Sequence, residues 1–362
     1  MKKETITDRE GISIMILFII GTNSIMAAGL SAEKDIWLAI IIAIIMALPI
    51  ILVYARMQSL FKNKDFFDVI EMCFGKIIGK GIAVLIIIYV FWEVPLPLRN
   101  FTQFPVAVSL NNTPQLIVTL IFMIVCIWIV KEGVNVIGKW ARLFLIPFIV
   151  VPLITPVLMF NSLNINNILP ILNYGIKPVF KGAYEVLMFP FTQIIVFVIA
   201  CSDSFKKNSH YNVYLKGLLL GGLGLLILSL VTVLVLGSDS AGRLYYPSYE
   251  TWLRIKIVGF QRMEIVHGVM FVIGAFIKVS IFLMATCKGI SKIFGLKDYR
   301  NIVTPVALIA IILAQFQFHS VMHYFEWNDE VWYYYAFPFQ VILPIIIWIV
   351  VEIKKKRFLG IE

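Results

Sequence analysis

Gly21-Thr22-Asn23-Ser24 interrupts an apolar run that extends from Ile12 to Leu30. Phe189-Pro190-Phe191-Thr192-Gln193 interrupts another, from Ala183 to Cys201, five apolar runs later. A bilayer core holds no water for loose backbone groups, so a break at mid-depth persists only where it lines a cavity or binds something. Matching breaks in two halves of a membrane chain point to a binding pocket near the midplane.

The rest of the chain fits that setting. Hydrophobic residues make up 60% of its 362 residues and charged residues 14%, outside the range of soluble domains. Ten apolar runs are predicted to be spans: 11–30, 35–58, 81–110, 114–130, 138–160, 183–201, 213–237, 262–290, 301–318 and 335–353. At 1.5 Å per residue, runs of this length cross a hydrocarbon core of about 30 Å. Residues 1–362 are therefore expected to form one all-α integral membrane domain.

The net charge of +10 is a topology signal, not a nucleic-acid footprint. With ten alternating spans, 22 of the 31 Lys and Arg fall on the side of the N-terminus and 7 on the other, while Arg99 and Lys278 lie inside spans. The positive-inside rule then puts both termini in the cytoplasm. Lys2-Lys3, Ile12–Ile20 and the small residues from Gly21 to Ala32 also resemble a cleavable signal peptide, but a multispan chain usually keeps its first helix. Cys73, Cys126, Cys201 and Cys287 are expected to be free thiols.

Three connections carry features of their own. In Gln58–Lys80, Asp65, Asp68 and Glu71 alternate with Phe66, Phe67, Val69 and Ile70 at helical spacing, which predicts an amphipathic interfacial helix. Ser238–Gln261 contains Pro247, Tyr249, Trp252 and Leu253, a candidate lid over an outward cavity. His319–Tyr335, crowded with Tyr and Trp, reads as an aromatic belt at the interface. His319 and His323 lack a third fixed ligand, and no metal is expected there. No nucleotide loop or catalytic triad pattern is present, so neither a cofactor nor catalysis is expected.

Gly21, Thr22, Asn23 and Ser24 are candidate ligand residues. Unwinding there would free the N-terminus of a second half-helix, Ser24 to Leu30, which suits an anionic group. The alternative is a small-residue packing patch with hydroxyls bonded back to their own helix. In the sixth run, Pro190 removes a backbone donor, Thr192 and Gln193 open a new helix, and Phe189 and Phe191 can wall a pocket. A plain proline kink is the alternative. Glu93, Arg99 and Lys278 are intramembrane charges, which face a partner or a polar path. Six residues apart, Glu93 and Arg99 point about 120° away from each other on a regular helix.

Ten spans divide into five plus five, roughly 11–160 and 183–353, with opposite entry directions and a break in the first helix of each half. That layout resembles the LeuT-like inverted repeat of the amino-acid–polyamine–organocation superfamily, with broken helices 1 and 6. In sodium-coupled proteins of that fold, groups from spans 1 and 8 hold a cation, and Lys278 could supply its own ammonium instead.

Short motifs narrow the resemblance. Ile6-Thr7-Asp8-Arg9-Glu10, Glu33-Lys34-Asp35-Ile36-Trp37-Leu38, Gly133-Val134-Asn135-Val136-Ile137-Gly138-Lys139-Trp140-Ala141-Arg142 and Phe276-Ile277-Lys278-Val279-Ser280 resemble the spore-germination permease-like family, the B subunits of GerA-type nutrient germinant receptors. Lys139 stands where the family commonly has arginine. The resemblance implies a subunit of the spore inner membrane that binds a small nutrient, often an amino acid. It also implies an A-type membrane subunit and a C-type lipoprotein as partners. The alternative within the same pocket is a proton-coupled amino-acid permease.

Overall fold

The computed structural model describes residues 4–60, 65–202, 204–205, 209–255 and 262–359. Lys2, Lys3, Lys62, Lys64, Lys206, Lys207 and Lys256, counted above for topology, lie outside the described residues. So does the end of the predicted lid segment at Gln261.

Thr7 starts the first helix with a capping box, its hydroxyl taking the Glu10 amide and the Glu10 carboxylate taking the Thr7 amide. This helix, α1 (Asp8–Asn23), is apolar on all sides from Ile14 to Gly21 and buried from Ser13 to its end. It is the core of the bundle. A turn of 3₁₀ helix (Leu30–Asp35) leads into α2 (Ile36–Leu60), followed by α3 (Phe66–Phe74) and α4 (Lys76–Trp92). Next come α5 (Pro95–Val108), α6 (Gln115–Glu132), α7 (Val134–Leu143) and α8 (Leu145–Leu158).

The second half runs through α9 (Ile176–Val186), a broken stretch, α10 (Ile195–Ala200) and α11 (His210–Leu236). Two short helices, α12 (Ser238–Gly242) and α13 (Pro247–Leu253), precede α14 (Glu264–Ile293) and α15 (Arg300–Phe316). The chain ends in α16 (Val321–Trp327), α17 (Tyr333–Phe337) and α18 (Leu343–Leu359), joined by π-helical turns at Asn328–Trp332 and Pro338–Ile342.

Among the described residues the fold is all-helical, apart from one isolated bridge between Ile6 and Phe205. Among the described residues, eight helical segments are long and apolar enough to cross a membrane. The predicted first and ninth spans are shorter helices, of 16 and 17 residues. Helices α11 and α14 pack directly on α1, and α2 packs on α11.

Several predicted boundaries move for local reasons. The third run is two helices, because Pro95 at the first turn of α5 starts a new helix after a bend at Glu93-Val94. The sixth begins at Ile176, seven residues before the expected start at Ala183. Residues 321–354 form one continuous helical segment, so most of His319–Tyr335 is helix. The apolar face of α3 is covered by the bundle and not by lipid. Phe66, Phe67 and Ile70 are buried, and Lys292 of α14 pins Asp65 at 2.9 Å and Asp68 at 2.5 Å.

At the same end, Glu4 gathers Arg300 (2.7 Å), the Tyr299 hydroxyl (2.9 Å) and the Val134 amide (3.2 Å). Gly133 permits this close approach. Its φ is 98°, and a Cβ there would lie 2.7 Å from the Glu4 carboxyl carbon. At the opposite end, Asp35 accepts the Leu172 amide at 3.1 and 3.0 Å, and Lys34 reaches the Leu169 carbonyl. The short motifs 6–10, 33–38 and 133–142 thus tie distant loops to the bundle.

Candidate functional site

The break in helix 1 comes later than expected. Thr22, Asn23 and Ser24 return their side chains to the carbonyls of Phe18, Ile19 and Gly21, which keeps this turn helical through Asn23. Residues 24–29 are non-helical. The half-helix expected from Ser24 to Leu30 does not form, and with it goes the anion site proposed at its start.

The unwound backbone is instead satisfied by neighbours. His267 Nδ1 lies 2.6 Å from the Ser24 carbonyl, while the amides of Ser248 and Tyr249 donate to the Ile25 carbonyl. The Ser248 hydroxyl donates to the Met26 carbonyl at 2.6 Å, and the Ala28 amide donates to Ser229. Helix α13, the candidate lid, therefore clasps the break in helix 1. This is how a mid-membrane break meets the hydrogen-bonding demand of the bilayer.

The sixth segment breaks at the expected residues. Phe189 has extended dihedrals (φ −134°, ψ 111°), and one 3₁₀ turn at Thr192–Ile194 restarts the helix. The two aromatic rings diverge. Phe189 faces cavities, whereas Phe191 is fully buried and packs toward Gly222 of α11.

Two cavities adjoin the breaks. An outer vestibule of about 370 Å³ is lined by Asn23, residues 26–31 of the break and the 3₁₀ turn after it, Glu185, Phe189, Asn328 and Asp329. Glu185 accepts a 2.5 Å hydrogen bond from Ser31, in the 3₁₀ turn that follows the break. A much smaller inner cavity of about 20 Å³ is lined by Thr22, Glu93, Asn100, Gln193, Lys278 and Trp332, together with Phe189, Asn328 and Tyr324. It has room for about one water. Phe189 and Asn328 border both cavities.

Opposite charges line the inner cavity. The Glu93 carboxylate accepts from Gln193 Nε2 at 2.7 Å and from Trp332 Nε1 at 2.7 Å. Two such bonds leave a carboxylate with spare acceptor capacity. The Lys278 ammonium donates to Thr22 Oγ1 at 3.3 Å and sits over the Phe189 ring at 4.0 Å and the Phe18 ring at 4.7 Å. Cation–π contacts offset part of the desolvation of this 1% exposed side chain. One acceptor for three N–H donors leaves donor capacity as well. Gln193 Oε1 is buried without a hydrogen-bond partner among the described residues.

Of the residues singled out from sequence, Thr22, Phe189, Gln193, Glu93 and Lys278 thus meet at one cavity, and Asn23 faces the vestibule. Four lie elsewhere. Gly21 packs backbone to backbone on Gly274, Ser24 caps its own helix, and Phe191 points into the core. Thr192 Oγ1 donates to Gln340 Oε1 at 2.6 Å, in a network that includes Tyr89 and Tyr54, whose hydroxyl contacts the Gln340 carbonyl. Arg99 turns away from Glu93 to the carbonyls of Ala314 and Gln315, with its charge over Phe318.

Sequence reasoning missed Tyr324, Asn328 and Trp332. They recur every four residues, one face of a helix, but lie among acids and aromatics that read as an interfacial belt.

Comparison with known proteins agrees with this architecture. A family model described as "Spore germination protein" matches residues 5–321. Spore germination protein KB of Bacillus subtilis (strain 168) is 26% identical over 99% of this chain and 97% of its own length. Spore germination protein A2 of the same organism is 22% identical over 96% and 95%. Among solved structures, MHP1, a nucleobase-cation-symport-1 family transporter in a closed conformation with bromovinylhydantoin bound, superposes with a TM-score of 0.59. It is 12% identical and covers 89% of this chain and 74% of its own, a likeness of fold alone. With the family model spanning most of its length, this multi-pass membrane chain belongs to the spore germination protein family.

Proposed function

We propose that the chain is the membrane subunit of a spore nutrient receptor, and that it binds a small zwitterionic nutrient, an α-amino acid, in the inner cavity. One observation carries this reading: Glu93 and Lys278 line the same small cavity with unused hydrogen-bonding capacity. The ligand carboxylate would meet the Lys278 ammonium, and the ligand ammonium would meet Glu93 and Gln193 Oε1. Each buried charge would then gain a compensating partner, which a neutral sugar does not offer.

The inner cavity is too small for such a ligand as it stands. Phe189 and Asn328 form the wall toward the vestibule, so entry requires them to move apart. Binding would favour the conformation that holds the ligand, and this shift in population is the signal passed on. An A-type membrane subunit and a C-type lipoprotein are the partners that would receive it, in the spore inner membrane. Ten crossings in two inverted repeats, about 11–160 and 183–353, with both termini cytoplasmic, complete the proposal. In this arrangement Lys278 of α14, bonded to Thr22 of α1, acts as a fixed cation between the two helices. No catalytic step is part of the role.

The test is a thermal-shift series on the purified chain against amino acids, nucleosides and sugars. An amino acid should raise the melting temperature, and both Lys278→Met and Glu93→Gln should abolish that rise. A stabilising sugar whose effect survives both substitutions would refute the zwitterion site. Uptake of the labelled amino acid into liposomes holding this chain alone would favour a proton-coupled permease over a receptor.

A further inference from the structure

The outer vestibule carries charges that the nutrient site does not use. Glu185 of α9 and Asp329 of the first π-helical turn line it, and among its described lining residues there is no lysine or arginine. Glu185 takes one bond from the Ser31 hydroxyl, and Asp329 only a 3.5 Å contact from Asn328 Nδ2, so both carboxylates keep acceptor capacity. They lie within electrostatic reach of each other. Lys181 acts on both from outside the vestibule. It is exposed and forms no ion pair with either among the described residues, while Glu330 adds a further negative charge beside Asp329. The carboxylates outnumber the opposing cation.

The wall supplies more than these two charges. Helix α1 ends on it at Asn23, and a helix C-terminus carries partial negative charge. Asn23 is 2% exposed, and its Nδ2 donates to the Ile19 carbonyl, while its Oδ1 has no hydrogen-bond partner among the described residues. A buried oxygen left open on a cavity wall calls for a donor. The remaining wall is aromatic. Tyr245 and Phe325 pack with ring centroids 5.3 Å apart, and Tyr333 lines the vestibule with them. Carboxylates beside aromatic rings suit an ammonium compound, whose charge is spread over its carbon substituents. A metal ion finds less, because among the described residues no three His, Cys, Asp or Glu side chains gather to hold one. The volume, about 370 Å³, falls within the range of about 300–1,000 Å³ usual for small-molecule sites.

We propose that the vestibule is a second ligand site, specific for a small organic ammonium compound that carries a hydroxyl or N–H donor. The cationic head lies between Glu185 and Asp329, its carbon substituents rest on Tyr245, Phe325 and Tyr333, and its donor meets Asn23 Oδ1. The site is separate from the inner cavity. Glu185, Asp329 and Tyr245 do not line that cavity, and Glu93 and Lys278 do not line the vestibule.

The experiment is calorimetric titration of the full chain in detergent with two probes. One is choline, and the other is its uncharged tert-butyl analogue, which has the same shape with carbon in place of the charged nitrogen. Choline should bind at least tenfold more tightly than the analogue. Glu185→Gln and Asp329→Asn, both close in shape to the parent, should each weaken choline at least fivefold. Tyr245→Leu, at an exposed position that tolerates change, should weaken it at least threefold. Glu93→Gln and Lys278→Met should leave choline affinity within twofold of the parent. Absence of choline binding, equal affinity for the two probes, or undiminished choline binding in both carboxylate variants would overturn the proposal. So would loss of choline binding in Glu93→Gln, which would put the cation in the inner cavity. Choline binding that persists where no amino acid binds would sink the nutrient reading and leave this site standing.

Discussion

Trp332 and Glu93, 239 positions apart, meet at 2.7 Å, the indole N–H donating to a carboxylate oxygen inside the bundle. This bond joins the bend between α4 and α5 to a π-helical turn, a feature often found at functional sites. It also orients the carboxylate toward the cavity that Lys278 shares. Trp332→Phe keeps most of the ring's packing and removes the donor. Loss of a hydrogen bond to a charged group costs about 1.5–3 kcal/mol. We expect a lower melting temperature and roughly tenfold weaker ligand binding, measured by thermal unfolding and calorimetric titration. Unaltered binding in this variant would exclude a positioning role for Trp332.

Lys278→Arg separates charge from shape. The cation is retained, but a planar guanidinium replaces an ammonium held between Phe189 and Phe18. We expect a folded protein with ligand response reduced at least tenfold, read in the same titrations. A full response would mean that only the charge matters.

Gly21 and Gly274 set the contact of α1 with α14. A Cβ on Gly21 would fall 2.3 Å from the Gly274 Cα, and a Cβ on Gly274 would fall 2.1 Å from the Gly21 Cα. Either alanine substitution should destabilise by about 1–3 kcal/mol through overpacking. The double variant should cost less than the sum, since both relieve one contact by the same separation. Unfolding in detergent is the check, and a neutral Gly21→Ala would contradict the packing described.

Ser248→Ala tests the clasp on helix 1. It leaves the Met26 carbonyl and the Thr232 hydroxyl each without a bond made by Ser248. Backbone amides of residues 24–30 should then exchange faster with deuterium, while those of α11 and α14 keep their protection.

Much of this was legible in the chain. Pro190 and its aromatic neighbours marked the second break, because a missing donor and a fixed φ act locally. Lys278 and Glu93 stood out because an ionisable group in an apolar run demands a partner wherever it goes. The first break was legible only in outline. Thr22, Asn23 and Ser24 can either line a pocket or bond back to their own helix, and nothing in their order chooses between the two.

The sequence by itself determined an all-helical membrane chain, where it must break in the sixth segment, and which charges must be answered inside. Periodicity, hydropathy and proline act within a turn or two, so they survive without knowledge of neighbours. Only the tertiary structure decided which polar groups share a cavity. It sent Arg99 to the carbonyls of Ala314 and Gln315 and Thr192 to Gln340, and it brought Trp332 to Glu93. The physical reason is that a buried polar group is satisfied by whichever partner packing brings within about 3 Å, and packing joins residues hundreds of positions apart.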